Sequence, residues 1–248
     1  MGIVIDTKKG IAGDIVSAGL IGLGADETRL LPAMEYAGNQ IGSTRIELVN
    51  FGDVKKLEVS FKEREHHLLE SKAKKIFSKV AEDLSISRPY SDIGSRALSV
   101  LCEAERWVHK RDIRLSHMID QHEAGEEAVL HEAKDILIDI VGLSVGLMDL
   151  RISDIYYLDW VNVGSGTVQF SHGEFEVPAP ATEYVLNEHN IIWKKSETGE
   201  EMTTPTGASI LAGCRAKRMI SLEGRNPFRR SLSRGTKNLP PVPFYLIE

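Results

Sequence analysis

Two cysteines in 248 residues, Cys102 and Cys214, are too few for a disulfide framework, and a reducing, cytoplasmic setting fits them best. No apolar run is long enough to cross a bilayer, and the N-terminus lacks the basic and apolar regions of a signal peptide, so no membrane partner is expected. The Walker phosphate loop and the dinucleotide fingerprint are both missing, as are internal repeats and low-complexity tracts. Basic residues do not outnumber acidic ones. The formal net charge of −6 argues against general affinity for nucleic acid, and none is expected as a partner.

What is present is a globular composition, with 42% hydrophobic and 27% charged residues, enough to bury a substantial core across one region spanning 1–248. The charge is unevenly spread. Between 215 and 237 stand Arg215, Lys217, Arg218, Arg225, Arg229, Arg230, Arg234 and Lys237 against a single acid, Glu223. Such a segment is either a solvated, mobile loop or a collector of phosphate-bearing small molecules or RNA.

Periodicity and capping signals interleave strands and helices. A short buried strand at 3–6 is followed by a glycine-bearing turn at 8–14 and helices over 14–23 and 26–37, the second capped by Asp26. A strand pair at 45–49 and 55–61 turns at 51–53, and amphipathic helices over 72–84 and 91–109 are separated near Pro89. Residues 111–127 are polar and weakly periodic, an excursion. The most apolar helix is expected over 132–150, and a strand over 155–161. Further strands are expected at 175–177, 191–193 and 244–247, with helices opening at Pro180 and Pro205. The expected class is α/β or α+β, a mixed sheet with interleaved helices.

Two stretches break this rhythm: 162–182 (NVGSGTVQFSHGEFEVPAPAT) and 203–208 (TTPTGA). Both are dense in Gly, Pro, Thr and Ser, residues that bring backbone amides and hydroxyls close to a ligand, although the same composition also makes ordinary turns. Gly10, Gly13 and Asp14 form a third such turn between a strand and a helix, where amides can hold an anion or Asp14 can act as a cap. Thr204, Thr206 and Gly207 offer the same arrangement. Asp139 lies between Ile138 and Ile140 in the most apolar helix, where a carboxylate needs a cation, a hydrogen bond or a metal. Helical spacing would stack Asp135 and His131 on its face, a donor set for a divalent metal; a buried Arg or Lys partner is the alternative. His131-Glu132-Ala133-Lys134-Asp135 lacks the second histidine of a zinc-peptidase helix. His66, His67, His117, His122 and His172 lie outside these helices, and as a set suit nickel, zinc or copper.

Taken in order, Gly10-Ile-Ala-Gly-Asp14, Asp135-Ile-Leu-Ile-Asp139-Ile-Val-Gly142, Gly164-Ser-Gly166, His172-Gly173, Val177-Pro-Ala-Pro-Ala-Thr182, Thr204-Pro-Thr-Gly-Ala208 and Gly235-Thr236 resemble the LarC family of nickel-insertion proteins along essentially the whole chain. The resemblance implies a nickel chelatase of the lyase class, acting on a pyridinium bisthiocarboxylate mononucleotide in nickel-pincer cofactor biosynthesis. It implies nickel(II) as the metal and a CTP-dependent process. Family members continue into a CTP-binding C-terminal domain that this sequence does not show, so CTP is not expected to bind this chain alone and a separate CTP-binding chain would supply it. Self-association into a homo-oligomer is left open. The expected site residues are Asp14 and His172 for catalysis; Gly10, Gly13, Gly164, Ser165, Gly166, Thr204, Thr206 and Gly207 for substrate; and His66, His67, His122, His131, Asp135 and Asp139 for metal. Two other classes compete: a non-catalytic binding protein for a phosphorylated small molecule, and a metal-dependent hydrolase built on Asp135 and Asp139.

Overall fold

A computed structural model describes residues 1–63, 67–111, 127–131, 134–170 and 173–248. From the N-terminus, β1 (Gly2–Ile5) passes through a 3-10 turn (Thr7–Lys9) into α1 (Gly13–Gly22) and α2 (Glu27–Gly38). The hairpin β2 (Gly42–Phe51) and β3 (Val54–Glu63) follows, then β4 (His67–Leu69), α3 (Glu70–Asp83), α4 (Tyr90–Arg111), β5 (Val129–His131) and α5 (Lys134–Leu150). The second half runs β6 (Asp154–Leu158), β7 (Val161–Gly164), β8 (Thr167–Phe170), β9 (Gly173–Glu176), α6 (Pro180–Glu188), β10 (Trp193–Lys195) and α7 (Pro205–Gly213). It closes with β11 (Lys217–Met219), β12 (Arg229–Ser233) and β13 (Val242–Ile247).

Seven of these strands make one mixed sheet in the order β11-β6-β1-β13-β12-β3-β2, with β1 parallel to β6 and antiparallel to β13. Period-two alternation assigns its faces. Ile3 and Ile5, Ile155 and Tyr157, and Phe244 and Leu246 enter the main core, while Val4, Leu158 and Ile247 pack with Tyr156 and Tyr245 in a smaller second cluster. Helix α1 lies on the core face against β3, β12 and β13, close enough that a methyl group on Gly19 would come within 2.7 Å of the Phe244 ring. Helix α5 packs behind it. Gly13 meets Asp139, Ser17 meets Gly142, and Leu20 meets Gly146, so α1 and α5 run parallel and begin at the same end of the molecule. Short side chains at these crossings permit the close approach.

The mixed α/β class is as expected, and the local signals hold. Asp26 caps α2 by accepting from the Thr28 amide at 2.9 Å, and Pro180 and Pro205 stand in the first turns of α6 and α7. Three expectations change. The strand expected over 155–161 is two strands, β6 and β7, because Asp159 takes a left-handed φ of 62° and its carbonyl and carboxylate are held by Arg218. His131 does not extend the helix that carries Asp135 and Asp139: it ends β5, paired in register with His67 of β4, and the helix starts at Lys134. The proposed ladder of His131, Asp135 and Asp139 on one helical face therefore reduces to its two aspartates. The basic stretch also contributes two strands of the main sheet, β11 and β12, which the charge run hid. Lys217 pairs with Asp154 at 2.8 Å, and Arg229 donates to the Leu23 carbonyl at 2.6 Å, where the chain leaves α1. The expected excursion at 111–127 falls almost wholly outside the described residues.

Candidate functional site

Parallel packing of α1 and α5 brings their first turns together, and α6 and α7 open at the same place. All four helix starts line one cavity of about 610 Å³: Gly13 and Asp14 from α1, Asp135 and Asp139 from α5, Pro180 and Ala181 from α6, Pro205 and Thr206 from α7. Converging N-termini direct the positive ends of helix dipoles and unpaired amides toward a shared space, a setting that favours anions. Leu57, Val59 and Phe61, alternate residues of β3, supply an apolar wall. The strap after β12 adds Arg234, Gly235, Thr236 and Lys237, and Lys9 comes from the turn before α1.

Into this positive frame the chain places carboxylates. Asp139 is 7% exposed and makes no hydrogen bond or ion pair among the described residues; burial first, then the charges of Asp14 and Asp135, hold its carboxyl well above the usual range. Burial raises Asp14 to about 6, reinforced by Asp135 and opposed by the hydrogen bond it accepts from the Ile15 amide at 2.8 Å. Gly13 is required beside them, because any side chain there would occupy the position of the Asp139 carboxylate. Gly235 likewise faces Asp14, with room of only 3.2 Å from the aspartate Oδ2 to a methyl group. The three aspartates thus crowd one another.

Two further carboxylates on the cavity wall, Glu105 and Glu201, escaped the sequence reading. Glu201 precedes the 203–208 block, is 7% exposed, and is raised by burial while Lys237, 3.6 Å from its Oε2, pulls the other way. Its flanking backbone is gripped from several sides. The Ile11 amide donates to the Met202 carbonyl at 3.0 Å, the Met202 amide to the Val163 carbonyl at 3.1 Å, and the Ser165 amide to the Glu200 carbonyl at 3.2 Å. Ser165 Oγ accepts from the Gly199 amide at 2.9 Å, and Thr203 Oγ1 donates to the Asn162 carbonyl at 2.6 Å. Gly10 and Gly164, both at φ of 85°, abut this segment so tightly that a Cβ on either would meet a backbone carbonyl, of Met202 and of Glu200.

The expected site residues therefore divide. Gly13, Asp14, Asp135, Asp139, Thr204 and Thr206 share the cavity. Gly10, Gly164, Ser165 and Gly166 stand against the 199–202 segment, one layer behind it. Gly207 packs on the Ile11 carbonyl, where its amide donates to the Thr204 cap at 3.1 Å. The backbones of His67 and His131 are register partners on the small β4–β5 ribbon. His66, His122 and His172 lie outside the described residues, and among the described residues no group of three or more His, Cys, Asp or Glu is arranged to hold a metal. Glu105, Glu201, Lys9 and the Arg234–Lys237 strap are polar cavity residues that sequence reasoning missed as a site; only the density of basic residues near 234–237 signalled any of them.

The family model described as nickel insertion protein matches residues 3–246. This chain belongs to the nickel insertion protein family. A putative nickel insertion protein of Methanosarcina acetivorans is 30% identical over 214 residues, covering 85% of this chain and 50% of that protein. A pyridinium-3,5-bisthiocarboxylic acid mononucleotide nickel insertion protein of Staphylococcus saprophyticus is 30% identical over 219 residues, with 85% and 50% covered. One of the same name from Acetivibrio thermocellus is 28% identical over 215 residues, with 83% and 50% covered. This nickel insertion family chain thus spans about half the length of the curated relatives it matches. No solved structure matches it. Among the described residues no helix is long and apolar enough to cross a membrane.

Proposed function

We propose that this chain binds nickel(II), as cargo, and a pyridinium-type mononucleotide in the one cavity, and contributes them to nickel insertion in pincer-cofactor biosynthesis. The observation that carries this reading is the mixed character of the cavity. Asp139, buried with no hydrogen bond or ion pair among the described residues, and Asp14, raised by burial beside it, favour a cation, while four helix starts, Lys9, Arg234, Lys237 and the threonine hydroxyls favour an anion. A metal and an anionic mononucleotide together satisfy both demands, and neither does so alone. Asp14, Asp135 and Asp139 are the oxygen donors in this proposal; His66, His67, His122, His131 and His172 are candidates for nitrogen donors that suit nickel better than calcium or magnesium. Thr204, Thr206 and the basic strap take the phosphate. Gly10, Gly13, Gly164, Ser165, Gly166 and Gly207 serve by shaping the backbone. The setting, in this reading, is the cytoplasm, where free Cys102 and Cys214 stay reduced.

Calorimetry and metal analysis of the purified chain test it. Nickel binding at micromolar concentrations, weakened by Asp139→Asn and strengthened by a pyridinium mononucleotide, is the expected result. A chain that takes up no nickel under these conditions ends the metal half of the proposal. A second reading, a binding protein without insertion, draws support from the lack of a ready metal-holding group among the described residues. Its signature is mononucleotide binding indifferent to nickel.

A further inference from the structure

Glu201 and the clamp around it are not used by the metal half of the proposal. The carboxylate is more than nine-tenths buried, stands on the cavity wall, and its Oε1 has no hydrogen-bond partner. A buried acceptor left in that state is costly, of the order of a full hydrogen bond, unless something in the cavity donates to it. The placement is not slack. Gly164 at φ 85° forms a bridge with Glu201, Gly10 at the same φ abuts Met202, and Lys237 Nζ donates to the Glu201 carbonyl at 3.0 Å. Two left-handed glycines and a lysine thus hold the backbone that carries this carboxylate at one point of the wall.

The neighbouring cation decides what that oxygen is for. Lys237 Nζ lies 3.6 Å from Oε2 and 3.9 Å from the exposed Glu200 carboxylate, so a cation already stands against this buried oxygen pair and a metal ion would meet the ammonium as a like charge. A neutral donor suffers no such penalty, and a carboxylate accepts hydroxyl hydrogen bonds more strongly than a neutral acceptor does. A carboxylate that receives the hydroxyls of a ribose is a recurrent solution in nucleotide sites. The α1 and α5 aspartates differ: Asp14 is raised by burial and Asp135, and Asp139 by burial, Asp14 and Asp135.

We infer that Glu201 is the acceptor for the vicinal hydroxyls of the sugar in the bound mononucleotide, and that Gly10, Gly164 and Lys237 position it; this rests on the mononucleotide reading above. Glu201 is then a specificity-determining residue, selecting a ribonucleotide over its deoxy counterpart.

The probe is nicotinic acid mononucleotide, a stable pyridinium ribonucleotide, titrated into the full chain by calorimetry beside its 2′-deoxy and 3′-deoxy forms. The wild-type protein should prefer the ribo form by roughly ten- to a hundredfold, the span of one or two charge-assisted hydrogen bonds. Glu201→Gln, of the same shape, should bind the ribo form more weakly and lose most of that preference. The wild-type preference needs no variant, so a folding defect in Glu201→Gln leaves the question answerable. Equal binding of ribo and deoxy forms by the wild type, or a preference that survives in Glu201→Gln, overturns the assignment while the mononucleotide reading stands. Failure of every form to bind the wild type removes that reading and this inference together.

Discussion

The two acidic walls of the cavity use the same chemical group under opposite electrostatics. Near the starts of α1 and α5, burial and then the Asp14 and Asp135 charges raise Asp139, burial and then Asp135 raise Asp14, and Asp139 has no ion pair among the described residues. At the 199–202 segment, a single buried glutamate sits beside a lysine. Burial is similar at 7% for Asp139 and Glu201, so exposure does not separate them; the neighbouring charge does. A buried carboxylate such as Asp139, with no ion pair among the described residues, stores a demand for a cation, whereas one beside an ammonium offers mainly hydrogen bonds. Each wall also depends on glycine for a different reason. Gly13 makes room for a side chain, while Gly10 and Gly164 make room for backbone carbonyls at a φ that other residues avoid.

The sharpest way to break the aspartate wall is Gly13→Ala, whose methyl would displace the Asp139 carboxylate and drive α1 from α5. A loss of about 3 kcal/mol or more is expected, lowering the melting temperature by about 2–4 °C per kcal/mol for a chain of this size, together with loss of nickel binding. Gly164→Ala attacks the other wall, combining a left-handed φ with a collision at the Glu200 carbonyl. We expect about 2 kcal/mol of destabilisation in chemical denaturation, with mononucleotide affinity lost and nickel affinity kept. Loss of both affinities at once would show that the walls are not independent.

Asp139→Asn should act in the opposite direction on stability. Because the folded state raises the Asp139 pKa, the ionised carboxylate opposes folding, and this opposition grows as pH climbs above the ordinary carboxylate range. Removing it should stabilise the protein by about 1–2 kcal/mol at pH 8 and by less at pH 5, while nickel affinity falls; thermal melts at the two pH values read the first effect. For Asp14, raised from 3.8 to about 6, the stabilising contribution is complete below 3.8 and disappears as pH passes upward through about 6. Nickel affinity should run the other way and strengthen between about pH 5 and 7 as protons leave the site, which titrations in a pH series will show. The smallest effect is assigned to Lys237→Met. This lysine is 40% exposed, so its loss should cost under about 1 kcal/mol, with the deficit shrinking toward pH 4 as Glu201 protonates.

Local features of this molecule were legible because their causes are local. Asp26 caps α2 with an amide two residues away, and Pro180 and Pro205 open helices through their own φ. Asp139 stood out because a carboxylate inside an apolar helix is anomalous in any fold. The same reasoning misplaced His131, since an i−8 spacing has meaning only if the helix already includes it, and strand pairing with His67 ended that. The Gly164-Ser165-Gly166 turn, read as a substrate loop from its composition, has its backbone set against the 199–202 segment, a packing that composition could not reveal.

The sequence by itself determined the mixed α/β class, the helix starts and the presence of acidic and glycine-rich elements, because capping, periodicity and backbone preference act over a few residues. Only the tertiary structure decided that four helix starts meet at one cavity, that Asp14 and Asp139, far apart in the chain, come together there, and that Glu201 is buried beside Lys237. Charge and burial act through space. Which carboxylates are crowded and which are compensated is therefore settled when α1 docks on α5 and the strap after β12 folds back toward the 199–202 segment.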